Sequence, residues 1–383
     1  MKIEQVYGIV NTMTQEILGD SVVVNEDLSN IVDIGKAFEN LDNTYDKYVK
    51  SLQNHIGKMV FVDRVYNSSM PKILVDGWEF GSIAEKIKCK LLEATENESW
   101  ELQDGASYDP NVFTAPEVSA KFFNKMVTFE IPISFTTKQI KQSFSDATQL
   151  NSFYSMIYTA IQKSMTVKLD GLIQRTINAG IAETMYDAFP LGTYTGAGNK
   201  RAVNLLALYN ARVPEAKQLT AEQALTFTDT DFMKFCAFIM GKYVDRLGVL
   251  STSYNIEGTD KFTPKDYLHF VLLSDFKRSA DVYLQSETFH NEFTALPTAE
   301  VVPYWQGEEV DHKIMVTTPS GHPVTLTGIV GVMFDKDAMV VANTDRRVTD
   351  YYNPMAEFWN EWHKFDARYL LDLSENIVTF FIA

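Results

Sequence analysis

The stretch that decides the fold is "SDATQLNSFYSMIYTAIQKSMTVKLDGLIQRTINAGIAET", residues 145–184. Ser145 or Asp146 can cap the start of a helix there, and Gly180 stands near its end. The stretch lacks a sustained heptad with charged flanks, so we expect the helix to lie across a sheet and not in a coiled coil. Apolar residues recur at helical spacing and form one stripe: Leu150, Tyr154, Ile157, Ile161, Met165, Leu169, Leu172 and Ile177.

A second informative stretch is "KMVTFEIPISF", residues 125–135, which has a period of two. This period predicts a strand with one apolar face. The polar residues 93–121 that precede it contain no element able to cover that face. The pattern therefore leaves open what the strand lies against. The apolar positions are Val127, Phe129, Ile131, Ile133 and Phe135.

Another alternating stretch lies upstream, where Ile87, Cys89 and Leu91 alternate with lysines. Residues 93–121 are rich in acids, Asn, Gly and Pro, which is typical of a long excursion between two strands. We predict that the arms 82–92 and 125–135 pair with each other as an extended β-hairpin.

The rest of the chain mixes helix and strand signals, which predicts an α+β fold. Residues 25–56 read as one helix, or as two that are broken near Gly35, and 58–66 read as a strand. A helix is predicted from Asp229 to Leu247, ending at Gly248. Further predictions are strands at 267–275 and 312–318, a helix at 276–285 between them, and strands over most of 325–383.

Composition narrows the possible functions. A hydrophobic fraction of 45% fits an ordered globular protein. The formal charge of −16, from 50 acids and 34 bases, argues against a sequence-reading nucleic-acid binder, although a container wall that faces packed DNA gains from repelling it. The two cysteines have neither disulfide nor zinc spacing. The sequence has no signal-peptide pattern and no long apolar run, so we expect a cytoplasmic protein without a membrane span.

Two groups of polar residues are candidates for a catalytic or metal-binding site. Asp335, Lys336 and Asp337 are flanked by apolar runs, which favours a polar turn between two strands over acid/base catalysis. A denser group has neither the HExxH nor the ExxH spacing of metal sites, and we expect an exposed polar and aromatic face there. Its members are Glu357, Glu361, His363 and Asp366. We therefore predict no catalytic, cofactor-binding or metal-binding residues, no cofactor, and no enzyme activity.

Three stretches carry a resemblance to a known family. They are "DGWEFGSIAEKI" (76–87), "SFYSMIYTAIQKSMTVKLDGLIQRTINAG" (152–180) and "GIVGVMFDKDAMVVANTDRRVTDYYNPMAEFWNEWHKF" (328–365). In this order they look like the hairpin strand, the spine helix and the closing strands of the Hong Kong 97-type fold of tailed-phage major capsid proteins. The chain is most similar to podoviral shell proteins of the phi-29 type.

The resemblance implies a division of the chain. The expected parts are an N-terminal arm (1–57), an extended loop with a long β-hairpin and flanking strands (58–136), a peripheral domain with the spine helix (137–190), an α/β axial domain (191–340), and C-terminal strands that complete the peripheral domain (341–383).

The resemblance also implies a function. The expected function is a major capsid protein that assembles in the host cytoplasm into an icosahedral or prolate shell, becomes part of the virion, and encloses double-stranded DNA without sequence-specific binding. The expected partners are further copies of the chain in hexamers and pentamers, a scaffolding protein and a portal, with no membrane. Because an apolar strand face without cover in its own chain can be covered by a neighbour, the candidate subunit contacts are Phe129, Ile131, Ile133, Trp100 and Tyr108.

Two alternatives stay open. An encapsulin-type compartment has the same fold and would contain a cargo enzyme in place of DNA. An enzyme of an unrelated α+β fold is the alternative from another class, and it would run as a small oligomer with measurable turnover.

Overall fold

The structure is a computed structural model that describes residues 70–76, 84–92, 117–136, 147–194, 196–285, 296–306 and 310–383, with residue 138 and scattered positions within 7–34 and 94–116. The predicted arm helix (25–56) falls outside these residues except at isolated positions, and the predicted strand 58–66 falls wholly outside them. Trp100 and Tyr108 also lie outside.

The described elements mix helices and strands along the chain. The helices are α1 (Ala147–Ala188), α2 (Leu205–Asn210), α3 (Ala221–Ala224), α4 (Thr230–Leu247) and α5 (Ser274–Gln285). The strands are β1 (Leu74–Asp76), β2 (Ala84–Cys89), β3 (Val118–Phe123), β4 (Met126–Thr136), β5 (Ala202–Asn204), β6 (Leu268–Leu273), β7 (Glu300–Val302), β8 (Ile314–Thr317), β9 (Pro323–Leu326), β10 (Ile329–Asp335), β11 (Met339–Asn353), β12 (Phe358–Leu371) and β13 (Ile377–Phe381).

The first sheet contains β4, and it has the order β1-β11-β12-β4. β4 pairs antiparallel with β12 along its whole length, with Phe129 opposite Phe365 and Ile133 opposite Glu361. The predicted alternation of β4 is confirmed, because its apolar residues point inward and the residues between them are exposed. The strand predicted at 125–135 therefore lies against its own chain.

The second sheet has the order β5-β13-β10-β6-β7. Every residue of β10 and β13 is buried, as expected for the central strands of a sheet that is covered on both faces. β13 pairs with β10 and β5, so the last strand joins this sheet and not the sheet of β11 and β12. The predicted division, which placed all of 341–383 in the peripheral domain, stays a prediction, and β13 is the part of that segment that pairs with β10. The physical reason is that "IVTFF" is apolar on both faces.

The predicted spine helix is α1, with 42 residues and a length of about 63 Å. It contacts strands of both sheets. It continues past Gly180 because residues 181–185 are all buried. The predicted stripe is confirmed at every position whose side chain is described, where exposure is 6% or less: Ile157, Ile161, Met165, Leu169, Leu172 and Ile177.

The predicted helix at 229–247 is confirmed as α4. Asp229 caps its start by accepting a hydrogen bond from the Phe232 N–H at 2.7 Å, and Gly248 follows its last residue. The apolar positions of α4 are buried, and the helix packs against α5 and, through the Tyr243 ring 5.4 Å from the Phe380 ring of β13, against the second sheet. Among the helices that the structure describes, none has the length and apolar character needed to cross a membrane.

The predicted hairpin exists with a different partner strand. β2 pairs antiparallel with β3, with Ala84 opposite Phe123 and Cys89 opposite Val118. The prediction that 82–92 pairs with 125–135 is wrong, because β2 pairs with β3 whereas β4 pairs with β12. Residues 118–123, at the end of the predicted excursion, supply the second arm instead, and only Asn124 and Lys125 separate it from β4.

Candidate assembly interface

The β2–β3 hairpin has two chemically different faces, because side chains alternate across a strand. One face, which we call the lysine face, carries Lys86, Lys88 and Lys121. The opposite face, which we call the outer face, carries the Glu85 carboxylate beside apolar side chains and a thiol: Ile87, Cys89, Val118, Ala120 and Phe122.

The lysine face lies on two carboxylates that follow β12. The Lys86 ammonium lies 2.9 Å from both Asp372 Oδ2 and Glu375 Oε1, and it donates to the Asp337 carbonyl oxygen at 2.9 Å. Lys88 donates to Asp372 Oδ2 at 3.0 Å. The two lysines of β2 therefore share the same carboxylates, which holds β2 to the body of the subunit.

Two further lysines complete this group. Lys121 donates to Glu257 and lies 3.3 Å from Asp372 Oδ1, and Lys261 lies 2.9 Å from Glu375 Oε1. The Asp372 side chain is 0% exposed, and in the described part of the chain its charge is compensated by Lys86, Lys88 and Lys121 and by hydrogen bonds from Ser374. We call the group the anchor cluster: Lys86, Lys88, Lys121, Lys261, Glu257, Asp372 and Glu375.

The electrostatics of the anchor cluster favour the charged forms. Burial acts to raise the pKa of Asp372, but hydrogen bonds from Ser374 and Lys86 outweigh it and hold that pKa well below the ordinary value. The pKa of Glu375 is lowered in the same way, by Lys261 and Lys86 acting against burial. For Lys86, burial acts to lower the pKa, but the two carboxylates raise it. Asp372, Glu375 and Lys86 are therefore held in their charged forms near neutral pH.

The outer face has no cover from the described part of the chain. Ile87 is 68% exposed, Val118 60% and Phe122 64%, and the Cys89 thiol is also exposed. A two-stranded sheet is only marginally stable in water by itself, and exposed apolar patches of this kind mark interaction sites. Because the anchor cluster holds the lysine face, the hairpin presents its outer face away from the subunit.

The contact residues predicted on β4 are placed differently. Ile131 is 9% exposed, and the Phe129 ring lies 5.1 Å from the Phe365 ring of β12. Ile133 is partly buried against the core. The premise that this apolar face has no cover in its own chain is wrong, because α1 and the core pack against the face. The contact itself stays a prediction for these residues, as it does for Trp100 and Tyr108.

The predicted polar turn at 335–337 is confirmed. β10 ends at Asp335 and β11 begins at Met339. Asp335 is 6% exposed and accepts hydrogen bonds from the Thr263 hydroxyl at 2.8 Å and the Asp337 N–H at 2.9 Å. Burial raises its pKa despite these bonds. The carboxylate thus fixes the turn, and the sequence did not indicate that it is buried.

The exposed polar face predicted around Glu361 is wrong. Glu361 is 1% exposed, His363 7% and Asp366 6%, and Glu361 and His363 lie on the buried face of β12 that also carries Trp359 and Phe365. His363 Nε2 lies 3.2 Å from Glu361 Oε2, and Asp366 accepts from Arg347 at 2.7 Å. Only Glu357, just before β12, is exposed. The described residues contain no group of three or more His, Cys, Asp or Glu side chains placed to hold a metal ion.

Comparison with known proteins decides the family. The Phi29-like phage major capsid protein family matches residues 10–381. The chain belongs to this family. It is therefore a structural protein of the phage shell, with the α+β Hong Kong 97-type fold that the resemblance implied.

Solved structures give a more distant likeness. The chain is similar to a chain in the capsid structure of Staphylococcus phage Andhra, with 8% identity and a TM-score of 0.47, covering 82% of this capsid protein and 84% of that chain. A chain in the capsid structure of cyanophage P-SCSP1u has 10% identity and a TM-score of 0.46, and the match covers 80% of this capsid protein and 84% of that chain. A chain in the mature capsid of bacteriophage PhiM1 has 9% identity and a TM-score of 0.40, and the match covers 81% of this capsid protein and 85% of that chain. No curated protein matches the sequence.

Proposed function

We propose that copies of this capsid protein assemble in the host cytoplasm into a closed icosahedral or prolate shell of hexamers and pentamers, which encloses double-stranded DNA. A scaffolding protein and a portal are the proposed partners. The family supports the role in the shell. The observation that carries the proposal is the outer face of the hairpin, because an apolar sheet face that is held away from its own subunit fits contact with a neighbour.

The geometry favours an assembly that repeats. The outer face and the body of the subunit are different surfaces, so a contact between one copy's hairpin and the next copy's body is heterologous. Heterologous contacts generate rings where the rotation closes, and open filaments where it does not. Rings of five and six subunits are the units of a shell, whereas tubes or irregular aggregates are the expected products without a scaffold.

The charge of the chain fits a DNA container. The formal charge is −16, which disfavours adhesion of the wall to packed phosphates. We propose that the DNA is enclosed without sequence-specific binding.

The contact residues predicted on β4 contribute less to the proposed subunit contact than the outer face does. Phe129, Ile131 and Ile133 already pack largely within the chain, so any contact with a neighbour uses the area that remains exposed. The outer face offers far more apolar surface, with Ile87 and Phe122 each more than half exposed. We therefore place the main contact there.

Sedimentation velocity with negative-stain microscopy tests the proposal. The purified protein should form closed particles with its scaffold and tubes or aggregates without it. A sharp monomer or dimer peak at high protein concentration, with and without scaffold, would overturn the proposal. A particle that contains a cargo enzyme in place of DNA would favour a cellular compartment instead.

A charge-matched pair of variants locates the contact. Ile87→Asp with Phe122→Asp places two carboxylates on the outer face and should abolish particles while the subunit stays folded. Lys90→Asp makes the same change in net charge on the same hairpin at an exposed position whose only described ion pair is with Glu117, and it should assemble normally. Normal particles from the double variant would show that the outer face is not a contact.

A further inference from the structure

Gly328 lies where the end of β13 meets the start of β10 in the second sheet. Its φ is +74°, and a Cβ at this position would collide with the Ile382 carbonyl oxygen, so only glycine fits. The Gly328 carbonyl accepts from the Ile382 N–H at 2.8 Å. The close approach of these two backbones therefore holds the residue that follows β13 against the residue that precedes β10.

The N–H group of Gly328 donates to a side chain, the imidazole of His312. The Gly328 nitrogen lies 3.0 Å from His312 Nδ1. A backbone N–H can only donate, so Nδ1 must carry a lone pair and the ring must be neutral. Next to this bond, the Ile329 N–H donates to the His312 carbonyl at 3.2 Å. Two adjacent hydrogen bonds therefore join His312 to segment 328–329, and one of them depends on the state of the ring.

A buried tryptophan joins the same segments without the histidine ring. Trp305 is 1% exposed, and its Nε1–H donates to the Ile329 carbonyl at 2.9 Å. Its backbone N–H donates to the Asp311 carbonyl at 3.0 Å. These bonds do not titrate. Loss of the bond to the His312 ring should therefore loosen the backbone at Gly328 without unfolding the second sheet.

Protonation of His312 would break its bond to Gly328. The imidazolium carries an N–H at both ring nitrogens, so Nδ1 would stop accepting and would point a second donor at the Gly328 N–H. His312 is partly exposed, so protons from solvent reach the ring. Gly328 is buried, so its freed N–H would be costly to leave without a partner.

The surroundings of His312 favour the neutral ring. Burial lowers the pKa of His312, and it outweighs the carboxylates of Asp311 and Asp275, which act to raise that pKa. Asp275 reaches the site from the first turn of α5, and Lys313 follows in the chain. Segment 328–329, which bonds to His312, adds no charged side chain. The bond to Gly328 is therefore intact at neutral pH.

Two other histidines are placed differently. His269 Nδ1 lies 2.8 Å from Glu300 Oε1, and His363 Nε2 lies 3.2 Å from Glu361 Oε2. A proton on either of these nitrogens is shared with a carboxylate, so acid does not remove the contact. Among the hydrogen bonds of the described residues, only His312 uses a ring nitrogen to accept from a backbone N–H.

We propose that His312 is an acid-sensitive latch on the end of the last strand. With the ring neutral, Nδ1 holds Gly328 and, through it, Ile382. With the ring protonated, this bond is lost, and residues 326–329 and 381–383 loosen while the rest of the second sheet stays folded. The latch belongs to the fold of one subunit, so it does not depend on the proposed shell contact.

Hydrogen exchange of the full-length protein tests the latch. Because the pKa of His312 is lowered by folding, the stabilisation is fully present above the ordinary imidazole pKa of about 6.5 and is lost as the pH falls below it. After correction for the intrinsic exchange rate, protection of residues 326–329 and 381–383 should fall about fivefold between pH 7.5 and pH 5, which is typical of the loss of one hydrogen bond. Constant protection over this range would overturn the proposal.

A pair of asparagine variants identifies the titrating group. In His312→Asn, the amide oxygen can still accept from the Gly328 N–H but does not titrate, so protection should stay high at both pH values. His322→Asn is the matched control, since His322 is exposed in the turn between β8 and β9, and it should retain the fall of the unaltered protein. A folded His312→Asn protein that retains the fall would show that another group is responsible.

A measurement on the unaltered chain keeps the test decisive if His312→Asn does not fold. In the unassembled subunit with ¹⁵N-labelled glycine and histidine, nuclear magnetic resonance should detect a scalar coupling between the Gly328 nitrogen and His312 Nδ1 at pH 7.5. The coupling should disappear at pH 5. Its absence at pH 7.5, or its persistence at pH 5, would contradict the latch.

Discussion

The core around α1 and the β2–β3 hairpin are held in place by different interactions. In the core, Ile173 and Ile181 are fully buried, and every residue of β10 and β13 is buried. In the hairpin, Ile87 and Phe122 are exposed, and the described contacts to the body include the ion pairs of the anchor cluster. Apolar burial therefore makes the fold, whereas charge positions the element that we assign to assembly.

This difference has an energetic consequence. Burying an Ile or Phe side chain contributes about 1.5–3 kcal/mol, and the core contains dozens of such residues. Exposed ion pairs contribute about 0–1 kcal/mol each, and removing one partner of a buried pair typically costs about 3–5 kcal/mol. Changes in the core should unfold the subunit, and changes in the hairpin should alter its position or its contacts.

The largest effect on the free energy of unfolding is expected for Ile161→Asp. Ile161 is 2% exposed in the stripe of α1, and an unpaired carboxylate there should cost more than about 4 kcal/mol. Insoluble or protease-labile protein is the expected result in an expression and proteolysis assay. Lys163→Asp, at an exposed position of the same helix, is the control and should stay soluble. A soluble Ile161→Asp subunit that forms normal particles would show that the stripe is not buried.

A smaller effect is expected for Asp372→Asn, which removes the buried carboxylate of the anchor cluster. Lys86 and Lys88 retain Glu375 and are partly exposed, so the loss should be about 2–4 kcal/mol. Limited proteolysis should cut within 93–117 faster in the variant, while far-UV circular dichroism stays native. Unchanged cleavage would mean that the cluster does not hold the hairpin.

The pKa shifts of Asp372 and Glu375 predict how the free energy of unfolding depends on pH. The pKa values of Asp372 and Glu375 are lower in the folded chain than in the unfolded chain. Their stabilisation is therefore fully present above the ordinary pKa of about 4 and is lost as the pH falls towards the folded pKa. Denaturant titrations between pH 6 and pH 3 should show this loss, and Asp372→Asn should reduce its slope. Equal slopes in the two proteins would contradict the assignment.

The smallest effect is expected for Asp335→Asn with Asp337→Asn. The new amide at 335 can accept from the N–H of residue 337 and donate to the Thr263 hydroxyl, so the turn keeps its hydrogen bonds. The free energy of unfolding should change by less than about 1 kcal/mol, measured by thermal unfolding. Loss of a hydrolytic or transferase activity in this variant, with the fold intact, would overturn the assignment as a structural protein.

Local patterns predicted much of the core and little of the hairpin. The stripe of α1, the alternation of β4 and the cap of α4 depend on residues close in sequence. The pairing of β4 with β12 and the contact of Lys86 with Asp372 join residues more than 200 positions apart, and no spacing rule predicts such pairs. The burial of Glu361 and His363 follows from the packing of one face of β12 on the core, which the sequence does not show. The alternating lysines of β2 can be recognised in the sequence, but their acidic partners Asp372 and Glu375 cannot.

The most direct test of the central claim is the rate of thiol labelling at Cys89, measured in free subunits and in closed particles. Cys89 is exposed on the outer face, whereas Cys236 is fully buried and burial raises the pKa of its thiol well above the ordinary value, so one thiol reports on the hairpin. Rapid labelling in the free subunit and much slower labelling in particles is the predicted result, because a neighbouring copy covers the outer face. Equal rates in both would contradict the claim that the hairpin makes the shell contact.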